Sequence, residues 1–316
     1  MEEIIGLLST NIRTILDRYP SHIYEKVEEI RLRLHRPLEI IIRGKPHYPG
    51  LSATPYIVTA DDTLQLMNRL SQYSIYTLEE ELKRGYITIQ GGHRVGLAGK
   101  VITEKGEVKA IRDVTFFNIR VARQCIGIGE SYLPDLTTST GEWLNTMIIG
   151  PPQAGKTTLL RDLARLVSVG KEERKLSPFK VGIVDERSEI AGCVKGVPQL
   201  ELGWRVDVLD GCPKAEGMMM LIRSMSPDVI VVDEIGSKED SEAIMEAVNA
   251  GVKLIVTAHG YTWSDLEKRP SLRPLLDSNI FSRFVILSKE SGPGTFCEIV
   301  DSSGRKIGRE TEVAQW

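Results

Sequence analysis

Residues 147–160 constrain this chain more than any others. An apolar run, Met147-Ile148-Ile149, leads into Gly150-Pro151-Pro152-Gln153-Ala154-Gly155 and then Lys156-Thr157-Thr158-Leu159-Leu160. This is G-x-x-x-x-G-K-[ST] between a strand and a helix, the context that gives the pattern its chemical meaning. Glycines let successive backbone N–H groups converge on phosphate oxygens with no Cβ in the way, and the helix N-terminus adds partial positive charge. The nine residues Gly150, Pro151, Pro152, Gln153, Ala154, Gly155, Lys156, Thr157 and Thr158 therefore read as a cradle for nucleotide phosphates. In such a cradle the lysine, here Lys156, reaches the β- and γ-phosphates, and the hydroxyl of Thr157 holds Mg²⁺.

Around this loop the chain alternates strands and helices. Apolar strand patterns at 145–149, 180–184, 229–232 and 253–257 are separated by helical patterns at 156–169, 217–224 and 238–250. Continuously apolar strands divided by helices describe an α/β fold with a mostly parallel sheet covered on both faces. The tail, 284–307, alternates about Asp301-Ser302-Ser303-Gly304 and predicts an antiparallel hairpin that extends the sheet.

The strand at 229–232 ends in Asp233-Glu234-Ile235-Gly236. An acid at the C-terminal end of a strand beside a phosphate loop sits where Mg²⁺ and its waters are. Asp233 suits the metal shell together with Thr157, and Glu234 suits polarising the attacking water. Capping the next helix is a task for Asp240 rather than for an acid pair directly after four β-branched residues. Asp233-Glu-Ile-Gly236 also fits the D-x-x-G of GTP-binding proteins, and Ser237-Lys238-Glu239-Asp240 echoes N-K-x-D. The two would abut here, whereas a phosphate sensor and a base reader lie on opposite sides of a nucleotide. The extra strand at 180–184 also favours the ATP-binding branch, so the expected ligand is ATP with Mg²⁺. Asp185-Glu186-Arg187-Ser188-Glu189 and His259 follow two further strands. Gly150, Asp185, Asp233 and His259 are thus all expected on one sheet edge, facing the nucleotide.

The first part of the chain has another character. Ile4, Leu7, Leu8, Ile12 and Ile15 predict a helix over 4–16, and Asp61-Asp62 a cap for a helix running to about 73. Strands are expected at 27–34, 38–42, 85–89, 95–102 and 119–122, and a short helix at 78–84. This is a small α+β domain, 1–135, ending in the Gly-, Ser- and Thr-rich loop at 127–141 and followed by the α/β domain, 136–316. Before Gly141 there are 18 basic and 17 acidic residues, and from there on 22 and 26. With neither half basic and aromatics at 6%, a nucleic-acid-dependent ATPase, the alternative for such a core, lacks its basic, aromatic-lined groove. Four scattered cysteines fit reduced thiols in a cytoplasmic protein, the acidic start is unlike a signal peptide, and no apolar run approaches bilayer-spanning length.

The four stations in this order resemble the secretion-superfamily ATPases of type II and type IV systems. There, a phosphate loop, an acidic box, an acid-tipped strand and a histidine box follow one another in a C-terminal RecA-like domain. The acidic box matches Asp185-Glu186-x-x-Glu189, and the segment before the acid-tipped strand matches Leu221-Ile222-Arg223 and Pro227-Asp228. Asp233-Glu234 departs from that family's usual Gly-Glu, which carries the catalytic role to Glu234. The strings Glu28-Glu-Ile-Arg-Leu-Arg33, Arg84-Gly-Tyr-Ile-Thr-Ile-Gln-Gly-Gly-His-Arg-Val-Gly96 and Val208-Leu-Asp-Gly-Cys-Pro-Lys-Ala215 are similar to the stage III sporulation AA family within that group. The resemblance implies catalytic roles for Glu186, Glu189, Glu234 and His259. It also implies a hexameric ring whose first domains insert arginines against a neighbour's nucleotide, here Arg94, Arg120 or Arg123. Its expected setting is the mother-cell cytoplasm, docked on membrane proteins of a channel complex that faces the forespore.

Overall fold

Alternation of apolar and polar residues governs Met1–Arg123, the first of two units into which the chain divides in the computed structural model. The structure describes residues 1–51, 53–71, 79–104, 106–289 and 295–307. Strands β1 (Val27–Arg33), β2 (Glu39–Ile42), β3 (Lys45–His47), β4 (Tyr86–Ile89), β5 (His93–Glu104) and β6 (Glu107–Arg120) form an antiparallel sheet ordered β3-β2-β1-β6-β5-β4. Ile30, Leu32, Ile40, Val95 and Ile119 point to the face covered by helices α1 (Glu2–Leu7), α2 (Thr10–Leu16) and α4 (Ala60–Leu70). Two further short helices, α3 (Ser21–Tyr24) and α5 (Glu79–Arg84), belong to the unit.

The helix expected over 4–16 is two helices. Ser9 leaves the helical register, accepts the Ile12 amide as N-cap of α2, and bonds Asp62 of α4. Asp62 is not itself a cap. Thr59 caps α4, and Asp62 at the third position returns a bond to the Thr59 amide at 2.8 Å, a reciprocal capping box. The strand expected at 119–122 is the end of β6, paired along its length with β5. Residues 72, 73 and 78, assigned to helices from sequence, lie outside the described residues.

The second unit, Gln124–Trp316, begins earlier than the loop chemistry indicated. The boundary is at 123/124, not 135/136, because the glycine loop is bound to the second core. The Gly127 and Gly129 amides donate to the buried Asp162 carboxylate at 3.1 and 2.7 Å, and Tyr132, Leu133 and Leu136 pack against Leu163 and Leu166.

Its strands are β7 (Thr146–Gly150), β8 (Val181–Asp185), β9 (Val206–Asp210), β10 (Val229–Val232), β11 (Lys253–His259), β12 (Arg283–Ser288), β13 (Thr295–Val300) and β14 (Lys306–Ile307). They lie in the order β14-β13-β12-β7-β11-β10-β8-β9. From β12 to β9 every pairing is parallel, and β13 and β14 add antiparallel strands at one edge. The tail is therefore three strands and not one hairpin: β12 runs parallel to β7, and the turn at Asp301–Gly304 joins β13 to β14. The outermost strand at the other edge, β9, escapes the sequence reading because Val-Asp-Val-Leu-Asp is half-buried and lacks a continuous apolar run.

Every residue of β7, β8 and β10 is buried because helices cover both faces. On one side α7 (Lys156–Val169) packs Leu159, Leu163 and Val167 on Ile148, Ile183 and Val231. On the other, α8 (Lys214–Ser224) and α9 (Lys238–Asn249) pack Met218, Leu221, Ile244 and Ala247 on Met147, Ile230 and Val256. The short helices α6 (Leu133–Leu136), α10 (Trp263–Glu267) and α11 (Arg273–Asp277) fill in around them.

Candidate active site

Parallel pairing brings the C-terminal ends of β7, β8, β10 and β11 to one edge, with His259 in register with Gly150. The loop after β7 is shaped for an anion. Gly155 and Gln153 take left-handed backbone with φ +87° and +65°, and a Cβ on Gly150 would come within 3.1 Å of Ala154 Cβ and of the Leu287 carbonyl. Pro152 and Gln153 form the exposed tip, and Ala154 is buried beneath it. Gly155 is the N-cap of the 14-residue α7, and no side chain caps the first-turn amides. Those uncapped amides and the helix dipole make an anion site. A cleft of about 350 Å³ opens alongside, lined by Pro151, Pro152, His259 and Tyr261 among others.

Lys156 is 5% exposed and donates to the Pro151 carbonyl at 3.1 Å. Burial pulls its pKa below the ordinary lysine value, opposed by the charges of Asp233 and Glu234. Its Nζ lies 3.4 Å from His259 Nδ1.

Asp233 and Thr157 meet: the Thr157 hydroxyl donates to Asp233 Oδ2 at 2.6 Å. Thr257 of β11 donates to the other carboxylate oxygen, Oδ1. Burial pushes the Asp233 pKa up, and these hydroxyl bonds hold it down in part. A hydroxyl and a carboxylate converging beside a phosphate loop are the hard oxygen donors that Mg²⁺ takes. Glu234 follows with φ +54°, held there by Thr257, whose Oγ1 accepts the Glu234 amide at 2.8 Å. The Glu234 carboxylate contacts His259 Nε2 at 2.9 Å and Arg187 Nη1 at 3.0 Å.

Asp185 stands at the same edge, and its carboxylate accepts the amides of Glu189, Ile190 and Ala191 at 2.8, 3.0 and 2.8 Å. These bonds shape the acidic turn. Burial raises the Asp185 pKa despite those donors. The turn carries Glu186, paired with Lys214 at 2.6 Å, and Glu189, whose carbonyl is held by Arg161 at 2.6 Å. Asp185, Glu186, Glu189, Asp233 and Glu234 line one small hollow, with Arg187 and Lys214.

In the first unit, Arg94 and Arg120 lie opposite each other on β5 and β6. Arg94 stacks 4.2 Å from the Tyr86 ring centroid, and Arg120 lies 4.0 Å from Glu29. Arg123 is separate from them: it donates to the carbonyls of Glu25 and Val27 at 2.7 and 2.8 Å, closing the unit's own chain. The sequence reading missed Thr257, Arg187 and Lys214. For Thr257 a signal existed, a hydroxyl within the apolar run Leu254-Ile255-Val256-Thr257-Ala258.

A protein-family model described as Sporulation stage III, protein AA matches residues 1–307. Stage III sporulation protein AA of Bacillus subtilis (strain 168) is 56% identical over 313 residues, covering 99% of this chain and 99% of that one. Among solved structures, the ATPase DotB of Legionella pneumophila is similar with TM-score 0.58 and 17% identity, over 88% of this chain and 76% of that chain. The pilus retraction motor PilT with bound ADP is similar with TM-score 0.54 and 18% identity, over 85% of this chain and 76% of that chain. At such identities the two structures speak to the fold alone. It is the α/β fold with a parallel-sheet, RecA-like core that the resemblance implied. The match along nearly the whole length settles the family: the chain belongs to the Sporulation stage III, protein AA family.

Proposed function

We propose that this protein hydrolyses ATP to ADP and phosphate and works as the motor of a sporulation channel, or secretion-like complex, between mother cell and forespore. One observation carries the reading. Thr157 and Asp233, 76 residues apart, share a hydrogen bond directly beside the phosphate loop, with Glu234 next to them. A phosphate-binding turn used only for structure has no need of that acid pair.

The chain's residues divide the work. The residues from Gly150 to Thr158 bind the phosphates through backbone amides, and Lys156 neutralises them. Thr157 and Asp233 would hold Mg²⁺, which supplies charge neutralisation on the phosphates when bound. Glu234 orients the attacking water and accepts its proton. His259 contacts Glu234 and Lys156 together, so it senses whether phosphate has arrived. Glu186 and Glu189 complete the acidic wall.

Ring assembly would let Arg94 and Arg120 reach a neighbouring copy's nucleotide, where cations offset developing charge. Arg123 is tethered within its own unit through Nη2 and is the weakest of the three. Family membership and the relative's name support a place in sporulation, and the likeness to a motor solved with ADP supports the nucleotide. Among the described residues no helix is long and apolar enough to cross a membrane. The working position proposed is the cytoplasmic face, in the mother cell, docked on membrane proteins of the channel as a homo-hexamer.

The test is phosphate release by the purified full chain, with and without Mg²⁺, and its mass by light scattering with nucleotide present. Turnover should need Mg²⁺ and vanish in Lys156→Ala, and nucleotide should favour the ring. A wild-type chain that binds no ATP in the presence of Mg²⁺ would sink the proposal.

A further inference from the structure

Glu234 is placed to handle water, yet both of its carboxylate oxygens are engaged. Oε1 meets His259 Nε2 at 2.9 Å, and Oε2 meets Arg187 Nη1 at 3.0 Å. His259 is itself tied to Lys156. An ammonium only donates, so at 3.4 Å Nδ1 accepts, and the ring proton sits on Nε2, where it is given to Glu234. A lysine from the loop, a histidine from β11 and an arginine from the acidic turn are therefore linked through one carboxylate. Those are the groups that a phosphate would recruit, and a guanidinium serves carboxylate and phosphate with the same donor fork.

We infer that in the nucleotide-free chain Glu234 stands in for the terminal phosphate of ATP, and that Arg187 exchanges Glu234 for that phosphate when ATP binds. The exchange frees Glu234 for water only when a terminal phosphate is present. ADP, which lacks it, leaves the Arg187–Glu234 pair closed. The inference deepens the proposed ATPase reading and rests on it.

The surroundings favour exchange over a fixed strut. The Arg187 side chain is 63% exposed although that of Glu234 is 26% exposed, and an ion pair with its cation in water adds little net stability, so the arginine can be traded. Lys214–Glu186 differs, with Lys214 only 15% exposed. The backbone on both sides of the trade is anchored. Asp185 and its three amide donors shape the turn that carries Arg187, and Ser188 bonds Asp210. The Glu234 amide is held by Thr257 at 2.8 Å. Only side-chain rotations are needed, which take nanoseconds or less at exposed positions.

The experiment is titration of the full chain with Mg²⁺ and either a non-hydrolysable ATP analogue or ADP, for wild type, Arg187→Ala and Arg187→Gln. Loss of a charge-assisted phosphate contact should weaken the analogue by about ten- to hundredfold in both variants, with ADP changed by less than about twofold. Arg187→Lys should recover part of the analogue affinity and none of the fork geometry. Equal losses for analogue and ADP would make Arg187 a builder of the turn and overturn the exchange. So would unchanged binding of both, or tighter binding of the analogue, which would make the pair a simple latch. A wild type that binds neither ligand would overturn the ATPase reading and the exchange with it.

Discussion

Thr257 is where a small change should cost most. It has no exposed surface, and one hydroxyl serves both site acids, donating to Asp233 Oδ1 and accepting the Glu234 amide at 2.8 Å. Its carbonyl separately accepts the Ile235 amide at 2.9 Å. Thr257→Val keeps the shape, the strand preference and that backbone bond, and removes the hydroxyl alone. A hydrogen bond to a charged group contributes about 1.5–3 kcal/mol, and a buried amide left without a partner costs about 1–3 kcal/mol. Both losses come from one group and do not simply add, so the expected destabilisation is about 2–4 kcal/mol. Protonation of Asp233, whose pKa burial already raises, limits the cost from above. Thr257→Ser keeps the hydroxyl and loses one methyl, a cost of about 1 kcal/mol. Trp143, Trp204, Trp263 and Trp316 all lie after residue 124, so tryptophan fluorescence in denaturant reports on the second unit. The midpoint should fall for Val at constant slope, and little for Ser. Glu234, released from its φ of +54°, should also lose alignment, and turnover should drop about tenfold or more. A Val variant as stable and active as wild type, or a Ser variant as damaged as Val, would refute the clamp.

Asp162→Ala removes the acceptor for the amides of Gly127 and Gly129 and for Arg165 Nε at 2.8 Å, so it should cost about 2–4 kcal/mol. Limited proteolysis should then cut within 124–136 first; cleavage elsewhere with this loop protected would contradict the assignment of these residues to the second unit. Asp233→Asn should stabilise the nucleotide-free chain at neutral pH, because burial has raised the Asp233 pKa and the fold carries the cost of the ionised form. The sign follows: as pH falls through the raised folded pKa toward the unfolded value of about 3.9, the wild type sheds that cost and the gap to Asp233→Asn narrows. Denaturation of both proteins between neutral and mildly acidic pH checks it, and a widening gap would show that Asp233 is stabilised as the anion.

The sequence alone determined whatever is encoded by near neighbours. The phosphate loop is a contiguous string whose glycine and helix start act locally, and α7 begins at Lys156 as read. The buried strands are legible because a sheet covered on both faces demands continuous apolar runs, as in Val229-Ile230-Val231-Val232. Strand ends then place Asp233 and His259 at one edge by parallel geometry alone. Tertiary structure decided everything that depends on where a lone pair points. Asp185 is placed at the edge by its strand, but that its carboxylate also gathers three amides of its own turn is seen only in the fold. Arg123 looks like a free cation until two carbonyls, 96 and 98 residues away, are found to hold it. The glycine loop reads as the end of the first domain, but Asp162 draws its amides into the second core. Arg187 and Thr257 become part of the site only because β8, β10 and β11 are neighbours in the sheet, which brings residues 47 and 23 positions apart onto Glu234. Residue type and local spacing are written along the chain, whereas the pairing of donors with acceptors is settled by packing across the sheet.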